Sequence, residues 1–175
     1  MKKAVQLIGG VIDMKNENQL KKYLAAFTGC MTDAGFAPNK LQSAVALNAL
    51  YRSISNKNLM LVVPAGMGKT RISLATCIGL LMRLPSASKI VVVYLNEILK
   101  EQDSDPWEKM RAYMETNKRG EGVIVKRVVG WEQAISEKGP TTVYVIDEAD
   151  KLFVDDSRPL PTPSKAVIAF TATVP

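Results

Sequence analysis

The sequence contains no histidine among its 175 residues. Histidine is the side chain that most often titrates near neutral pH, and it is a common metal ligand, so its absence excludes imidazole-based catalysis and imidazole metal sites. The chemistry that remains uses carboxylates, lysine, serine or threonine hydroxyls, and a metal held by oxygen. Any catalytic site in this chain must therefore be built from those groups.

Cysteine is scarce, and the two that occur, Cys30 and Cys77, lie far apart and in no metal-ligand spacing. They are typical of buried thiols in a reducing compartment. No apolar run is long enough to span a bilayer. The apolar stretch after Lys3 is interrupted by two glycines and Asp13 and has no clear signal-peptide cleavage site. We therefore expect a cytoplasmic protein with no membrane partner.

The overall composition is that of one globular domain long enough to bury a core. The net charge of +6 and the isoelectric point near 9.3 favour an anionic partner, such as a nucleotide, a nucleic acid or an acidic lipid. A well-solvated surface explains the same charge equally well. Charge alone therefore does not choose a function.

The most informative stretch is residues 58–84, in which an apolar run breaks into a glycine turn that ends in Gly-Lys-Thr. Residues 58–63 are typical of a buried parallel strand, and residues 70–84 of the helix that follows. Gly66 and Gly68 allow a tight turn whose backbone N–H groups, with the positive end of the helix, point at phosphate. Lys69 would reach the β- and γ-phosphates, and the Thr70 hydroxyl would bind the Mg²⁺ that bridges them.

We therefore predict a nucleotide site formed by Ala65, Gly66, Met67, Gly68, Lys69, Thr70 and Arg71. A strict phosphate-loop pattern has glycine where this chain has Val63, so the match is to the shorter Gly-x-Gly-Lys-Thr core. Such a core also occurs by chance in loops. The strand before it and the helix after it favour the nucleotide interpretation.

A second apolar strand delivers two adjacent carboxylates, Asp147 and Glu148, at its C-terminal end. Ligands of open parallel sheets bind at that edge. Asp147 would hold Mg²⁺ opposite Thr70, and Glu148 would orient or deprotonate the attacking water. Carboxylates in this position can also form a plain helix cap, but the phosphate loop upstream favours a catalytic pair.

Strands and helices alternate along the rest of the chain, which predicts an α/β fold with a mostly parallel sheet and helices on both faces. After the phosphate-loop helix, the patterns predict strands at 89–95, 123–129, 142–146 and 166–170, and helices at 96–102, 104–116 and 131–136. Two amphipathic helices, at 17–31 and 39–54, precede the nucleotide core.

Three segments together carry a family resemblance. Gly66-Met67-Gly68-Lys69-Thr70, Asp147-Glu148-Ala149-Asp150 and Thr171-Ala172-Thr173 resemble motifs I, II and III of superfamily 2 helicases, in that order. The resemblance implies a RecA-like ATP-binding domain at residues 35–175, with residues 1–34 as a helical extension. It also implies that Thr171 and Thr173 couple the nucleotide state to a second domain.

Residues 35–42, Gly-Phe-Ala-Pro-Asn-Lys-Leu-Gln, look like the Q motif of the DEAD-box branch, which implies that Gln42 contacts adenine. The RNA-contacting DEAD-box signatures Pro-Thr-Arg-Glu-Leu-Ala and Thr-Pro-Gly-Arg are absent. Residues 62–64, Val-Val-Pro, look closer to superfamily 2 translocases and restriction-type motors. Residues 147–150 have the Asp-Glu-Ala-Asp sequence after which the DEAD-box branch is named, but this motif does not establish membership of that branch.

The chain stops at Pro175, just after motif III, so we expect a second RecA-like domain to be supplied in cis or in trans. Family members carry arginine fingers in that domain, and such a residue is worth about 10³ to 10⁵ in rate. We therefore expect this domain to bind Mg-ATP and to be a weak ATP hydrolase by itself.

Nucleic acid, RNA or DNA, is the expected track of such a motor. A phosphate-contacting face would draw on seven basic residues, although such a run is as often a solvated rim: Lys100, Lys109, Arg111, Lys118, Arg119, Lys126 and Arg127. The alternatives are a protein-translocating motor domain and a nucleotide-gated interaction module. A phosphate-loop kinase fits less well, because it needs an acceptor pocket and lid arginines.

Overall fold

The structure is a computed structural model that describes residues 58–64, 66–152 and 161–172, together with residues 25, 28–29, 31–33, 37, 39–40 and 42–43. Most of the predicted extension at 1–34 and most of the two predicted N-terminal helices lie outside the described residues. Cys30 lies outside them as well. Of the two cysteines, Cys77 is described, and it is buried and free, as expected.

The described elements alternate between strand and helix. In chain order they are β1 (Leu59–Val62), α1 (Lys69–Arg83), β2 (Lys89–Tyr94), α2 (Glu97–Gln102), α3 (Ser104–Thr116), β3 (Ile124–Val129), α4 (Gly130–Ser136), β4 (Thr142–Ile146), α5 (Ala149–Leu152) and β5 (Ala166–Thr171). Each predicted strand and helix from residue 58 onward is confirmed to within two residues at either end. The short helix α5 is an addition to the prediction.

The strands form one five-stranded sheet in the order β1-β5-β4-β2-β3, and every pair is parallel. The predicted α/β class with a parallel sheet is therefore confirmed. Because the strands are parallel, their C-terminal ends all lie at one edge of the sheet, which is where ligands of such sheets bind. The loop after β1 and the residues after β4 meet at this edge, with the end of β5 between them.

The three central strands β5, β4 and β2 consist largely of β-branched and aromatic residues and are almost completely buried. Apolar residues at successive positions suit strands that are covered on both faces. The prediction that β1 is equally buried is wrong. Its side chains alternate between half-buried and exposed, with Met60 47% and Val62 46% exposed, because β1 is the outermost strand of the described sheet.

Helices cover both faces of the sheet, as predicted. On one face α1 and α3 pack their apolar side chains, among them Ile78 and Met110, against β2, β4 and β5. On the other face α4 and α5 contribute Ala134 and Leu152 to a smaller cluster. Among the described helices, none has both the length and the hydropathy that crossing a bilayer requires.

Candidate functional site

A cleft of about 970 Å³ opens at the C-terminal edge of the sheet. Its walls come from the phosphate loop, the first turns of α1, the junction of α2 and α3, and the end of β4. The lining residues are Asn39, Gln42, Val63, Pro64, Gly66, Met67, Gly68, Lys69, Thr70, Arg71, Leu74, Gln102, Asp103, Pro106, Trp107, Glu148 and Ala172. Of the predicted nucleotide-binding residues, Ala65 alone lies outside the described part of the chain.

The phosphate loop takes a backbone conformation that only glycine adopts easily. Gly66 has φ 83° and Gly68 has φ 77°, both in the left-handed region. A Cβ atom on Gly68 would collide with the side-chain amide of Gln42. The turn closes through a hydrogen bond from Met67 N to Pro64 O of 3.2 Å, and α1 begins at the next residue but one, with its positive end at the cleft.

Lys69 joins the two halves of the predicted site. Its Nζ lies 2.6 Å from Glu148 Oε1 and 3.6 Å from Asp147 Oδ1. All three side chains are mostly buried, with exposed fractions of 14%, 19% and 13% respectively. The lysine of the phosphate loop and the carboxylates after β4 therefore share one polar centre, as the sequence predicted they would if both belonged to one site.

Asp147 is held in place by its surroundings. Its Oδ1 accepts a hydrogen bond from Glu148 N at 3.0 Å, and its own N–H donates to Val93 O at 3.1 Å. Burial raises the pKa of the Asp147 carboxyl above its ordinary value, and the positive charge of Lys69 opposes that rise. A carboxylate that is costly to ionise because it is buried gains from any cation that binds beside it.

Glu148 has φ 54°, the left-handed conformation that non-glycine residues avoid. Such a conformation costs of order 1 kcal/mol or more and persists only where the surroundings impose it. Here it turns the side chain toward Lys69, and Lys151 Nζ lies 3.6 Å from the other carboxylate oxygen. Strain at this residue is the kind of feature that concentrates at functional sites.

The donor set fits Mg²⁺ bound together with a nucleotide. Thr70 lines the cleft on the first turn of α1. Asp147 Oδ1 lies 3.6 Å from Lys69 Nζ. Among the described residues no group of three or more acidic, histidine or cysteine side chains could hold a metal by itself. Mg²⁺ typically takes one or two protein oxygens and completes its shell with phosphate and water, so a hydroxyl and one carboxylate suffice.

Gln42 is buried, with 5% of its surface exposed, and both ends of its amide have partners. Its Oε1 accepts from Asn39 N at 3.0 Å, and its Nε2 donates to Met67 O at 3.3 Å. Gln42 therefore contacts the phosphate loop directly and faces the same cleft. Its adenine contact, implied by the resemblance to the Q motif, stays a prediction.

Thr171, predicted to couple the nucleotide state to a second domain, ends β5 and is fully buried. Its carbonyl accepts a hydrogen bond from Val63 N at 2.8 Å, which ties the end of β5 to the start of the phosphate loop. Ala172, the next residue, lines the cleft. Thr173 lies outside the described residues, so its role stays a prediction.

The sequence interpretation missed one wall of the cleft, formed by Gln102, Asp103, Pro106 and Trp107 where α2 meets α3. Burial raises the pKa of Asp103 to about 6, while a hydrogen bond from Tyr94 and the charge of Arg127 favour its ionised form. The sequence did contain a signal for this wall, because it follows predicted strand 89–95, and segments that follow the strands of a parallel sheet line the edge where ligands bind. Trp107 is buried.

The comparison with curated proteins found no significant match to this sequence. A family model described as the res subunit of type III restriction enzymes matches residues 36–175. The match covers most of the chain, including the phosphate loop, the carboxylates after β4 and β5. The fold and the cleft agree with the helicase-superfamily ATPase domain of this family. The chain belongs to the family of the type III restriction enzyme res subunit, and residues 36–175 form a helicase-type, RecA-like ATP-binding domain.

Proposed function

We propose that this domain is the ATP-binding half of a superfamily 2 nucleic-acid helicase or translocase. It binds Mg-ATP and couples its hydrolysis to a second RecA-like domain supplied in cis or in trans. The observation that carries the proposal is the 2.6 Å contact between Lys69 of the phosphate loop and Glu148 after β4. A lysine that reaches phosphate and a carboxylate that activates water both face the γ-phosphate at a phosphoryl-transfer site, so their side chains must lie close together.

In this proposal Lys69 exchanges one set of anionic partners for another. In this structure its ammonium is neutralised by Glu148 and Asp147. The β- and γ-phosphates of ATP carry more negative charge than the two carboxylates and receive the backbone N–H groups of the loop as well. Lys69 therefore turns to the phosphates, and Glu148 is released to orient the attacking water.

Mg²⁺, when bound, would neutralise part of the charge on the phosphates. Thr70 and Asp147 are the residues that would hold it. Gly66, Gly68 and the first turn of α1 supply the N–H groups that cradle the phosphates. Gln42 faces the base end of the nucleotide, and Thr171 transmits the change to the partner domain through its backbone contact with Val63.

The family name favours DNA as the track, because a restriction enzyme acts on DNA. The basic residues predicted to contact nucleic-acid phosphates are less free to do so than the sequence suggests. Four of its residues already lie within 4.0 Å of a carboxylate: Lys100, Lys109, Arg111 and Lys126. Exposed ion pairs of this kind are weak and can be exchanged for phosphate contacts, so they modulate nucleic-acid binding without excluding it.

The test is to titrate this chain with labelled duplex DNA, single-stranded DNA and single-stranded RNA, with and without Mg-ATP, across a salt series. We expect binding that weakens steeply with salt, responds to Mg-ATP and is strongest for duplex DNA. Binding of Mg-ATP without binding of any nucleic acid at low salt would contradict the nucleic-acid motor. That result would favour a protein-translocating motor or a nucleotide-gated interaction module.

A further inference from the structure

Arg127 on β3 is turned into the protein rather than into solvent. The sequence predicted an exposed cation that belongs to the basic face, and this prediction is wrong for Arg127, although it is right for its neighbour Lys126. Side chains of adjacent strand residues point to opposite faces of the sheet. Lys126 therefore points away and pairs with Glu137, while Arg127 lies on the face covered by α1 and α3.

All three nitrogen atoms of the Arg127 guanidinium donate hydrogen bonds to described residues. Nε donates to Tyr94 Oη at 3.3 Å, Nη1 donates to Ser104 Oγ at 3.4 Å, and Nη2 donates to the carbonyl oxygen of Lys100. The guanidinium also lies over two aromatic rings, with its carbon 5.2 Å from the centre of Tyr94 and 5.5 Å from that of Trp107. Arg127 thus connects the ends of β2 and α2 with the beginning of α3.

These contacts surround the missed wall of the nucleotide cleft. Lys100 and Ser104 flank Gln102 and Asp103, two of the residues that line the cleft, and Trp107 lines it directly. Tyr94 extends the connection, since its hydroxyl accepts a hydrogen bond from Arg127 Nε at 3.3 Å. Arg127 therefore contacts the residues around this wall from the side that faces away from the cleft.

Trp107 is buried in the main core cluster, but the packing around it is not complete. A second cavity, of about 270 Å³, adjoins both Trp107 and Arg127. Unfilled space beside a side chain removes contacts that would otherwise fix its position. If the guanidinium were removed, Trp107 and the junction of α2 and α3 would have room to shift away from the cleft.

We propose that Arg127 is a positioning residue for nucleotide binding, which sets the place of the wall formed by Gln102, Asp103, Pro106 and Trp107. The role rests on the proposed function, since it concerns the same cleft. Arginine suits it because a planar guanidinium carries donors on three separate nitrogen atoms and stacks flat on aromatic rings, whereas the donors of a lysine ammonium all lie on one nitrogen atom. Arg127 itself does not line the cleft.

The experiment compares Arg127→Met with Lys126→Met, which removes the same charge from the same strand but on the opposite face. Both are made in a Trp131→Phe background, so that Trp107 is the sole tryptophan. The measurements are Mg-ATP affinity, acrylamide quenching of Trp107 emission and the thermal unfolding temperature.

We expect Arg127→Met to weaken Mg-ATP binding about tenfold, the value of one lost charged hydrogen bond, and to increase quenching. Lys126→Met should change neither, and Arg127→Lys should not restore affinity.

Folded Arg127→Met with wild-type affinity and quenching would overturn the positioning role and leave the proposed function standing. A wild-type chain that binds no Mg-ATP would overturn the proposed function and the positioning role with it. If Arg127→Met fails to fold, Tyr94→Phe decides the question, since it keeps the ring and removes only the hydroxyl that accepts from Arg127 Nε. We expect a loss of affinity in the same direction, and unchanged affinity would overturn the proposal.

Discussion

Lys69 Nζ and Glu148 Oε1 lie 2.6 Å apart although 79 positions separate them in the chain. Their contact links the phosphate loop to the end of β4 and shows that the two motifs found in the sequence share one site. In this contact the lysine is neutralised by carboxylates. Binding of a nucleotide must replace this contact, and the first two predictions follow from that exchange.

Lys69→Ala is expected to abolish Mg-ATP binding, with an affinity loss of at least about 100-fold because a charged contact to phosphate disappears. Isothermal titration with Mg-ATP measures it. Lys89→Ala is the matched control, since Lys89 is also a half-buried lysine paired with a glutamate, at 2.8 Å, but far from the cleft. Unchanged affinity in Lys69→Ala, with the fold retained, would remove the phosphate-loop assignment.

Glu148→Gln is expected to retain or strengthen Mg-ATP binding and to lose hydrolysis by about 10² to 10⁴-fold, the usual contribution of a general base. The neutral amide no longer competes with phosphate for Lys69, which is the reason for the stronger binding. Single-turnover hydrolysis and equilibrium binding separate the two effects. Retained turnover would show that another group activates the water.

Gly68→Ala is expected to weaken nucleotide binding more than Gly66→Ala. Both alanines would have to adopt a positive φ, at a cost of about 1 to 2 kcal/mol each. At Gly68 the new methyl group would also displace the Gln42 amide, whereas at Gly66 nothing lies within 4 Å. Mg-ATP affinities of the two variants provide the comparison, and equal losses would mean that the contact with Gln42 has no influence on the loop.

Gln42→Ala is expected to reduce the preference for ATP over GTP. The amide faces the cleft, and the resemblance to the Q motif implies that it contacts adenine, so its loss should affect recognition of the base. Asn39→Ala is the control, because Asn39 Oδ1 accepts from Gln42 N at 2.8 Å and its loss disturbs the same turn without removing the amide. Equal weakening of ATP and GTP in Gln42→Ala would assign the residue a structural role only.

Asp103→Asn is expected to raise the free energy of unfolding relative to the wild type, and this gain should be larger at pH 7 than at pH 4. Burial raises the pKa of Asp103 in the folded chain from its ordinary 3.8 to about 6. A raised carboxyl pKa contributes stability that is complete below about pH 4 and is lost as the pH rises through about 6, because the charged form is disfavoured by burial. Asparagine does not ionise, so this loss should vanish.

Urea unfolding at pH 4, 5, 6 and 7 measures this effect as the difference between Asp103→Asn and the wild type. The difference cancels groups common to both proteins, such as Glu137, whose pKa is lowered by hydrogen bonds from Lys89 and Lys126. A difference that stays constant over the range would show that Asp103 titrates normally.

The sequence by itself determined the α/β class, the bounds of the strands and helices, and the motifs of the site. These features depend on local properties. Runs of β-branched residues at 90–93 and 142–146 specify buried strands, and glycine at 66 and 68 permits the left-handed turn whatever surrounds it. The placement of both motifs at the carboxyl ends of parallel strands also followed, because parallel strands share that edge.

Only the tertiary structure decided which side chains meet. The strand order β1-β5-β4-β2-β3 puts β1 at the border of the described sheet, so the same apolar run that suggested burial leaves Met60 and Val62 exposed. It also puts β3 beside β2, which brings Arg127 over Tyr94 and turns an expected surface cation into the support of a cleft wall. Contacts of this kind depend on which strands are neighbours, and local sequence patterns carry no record of that order.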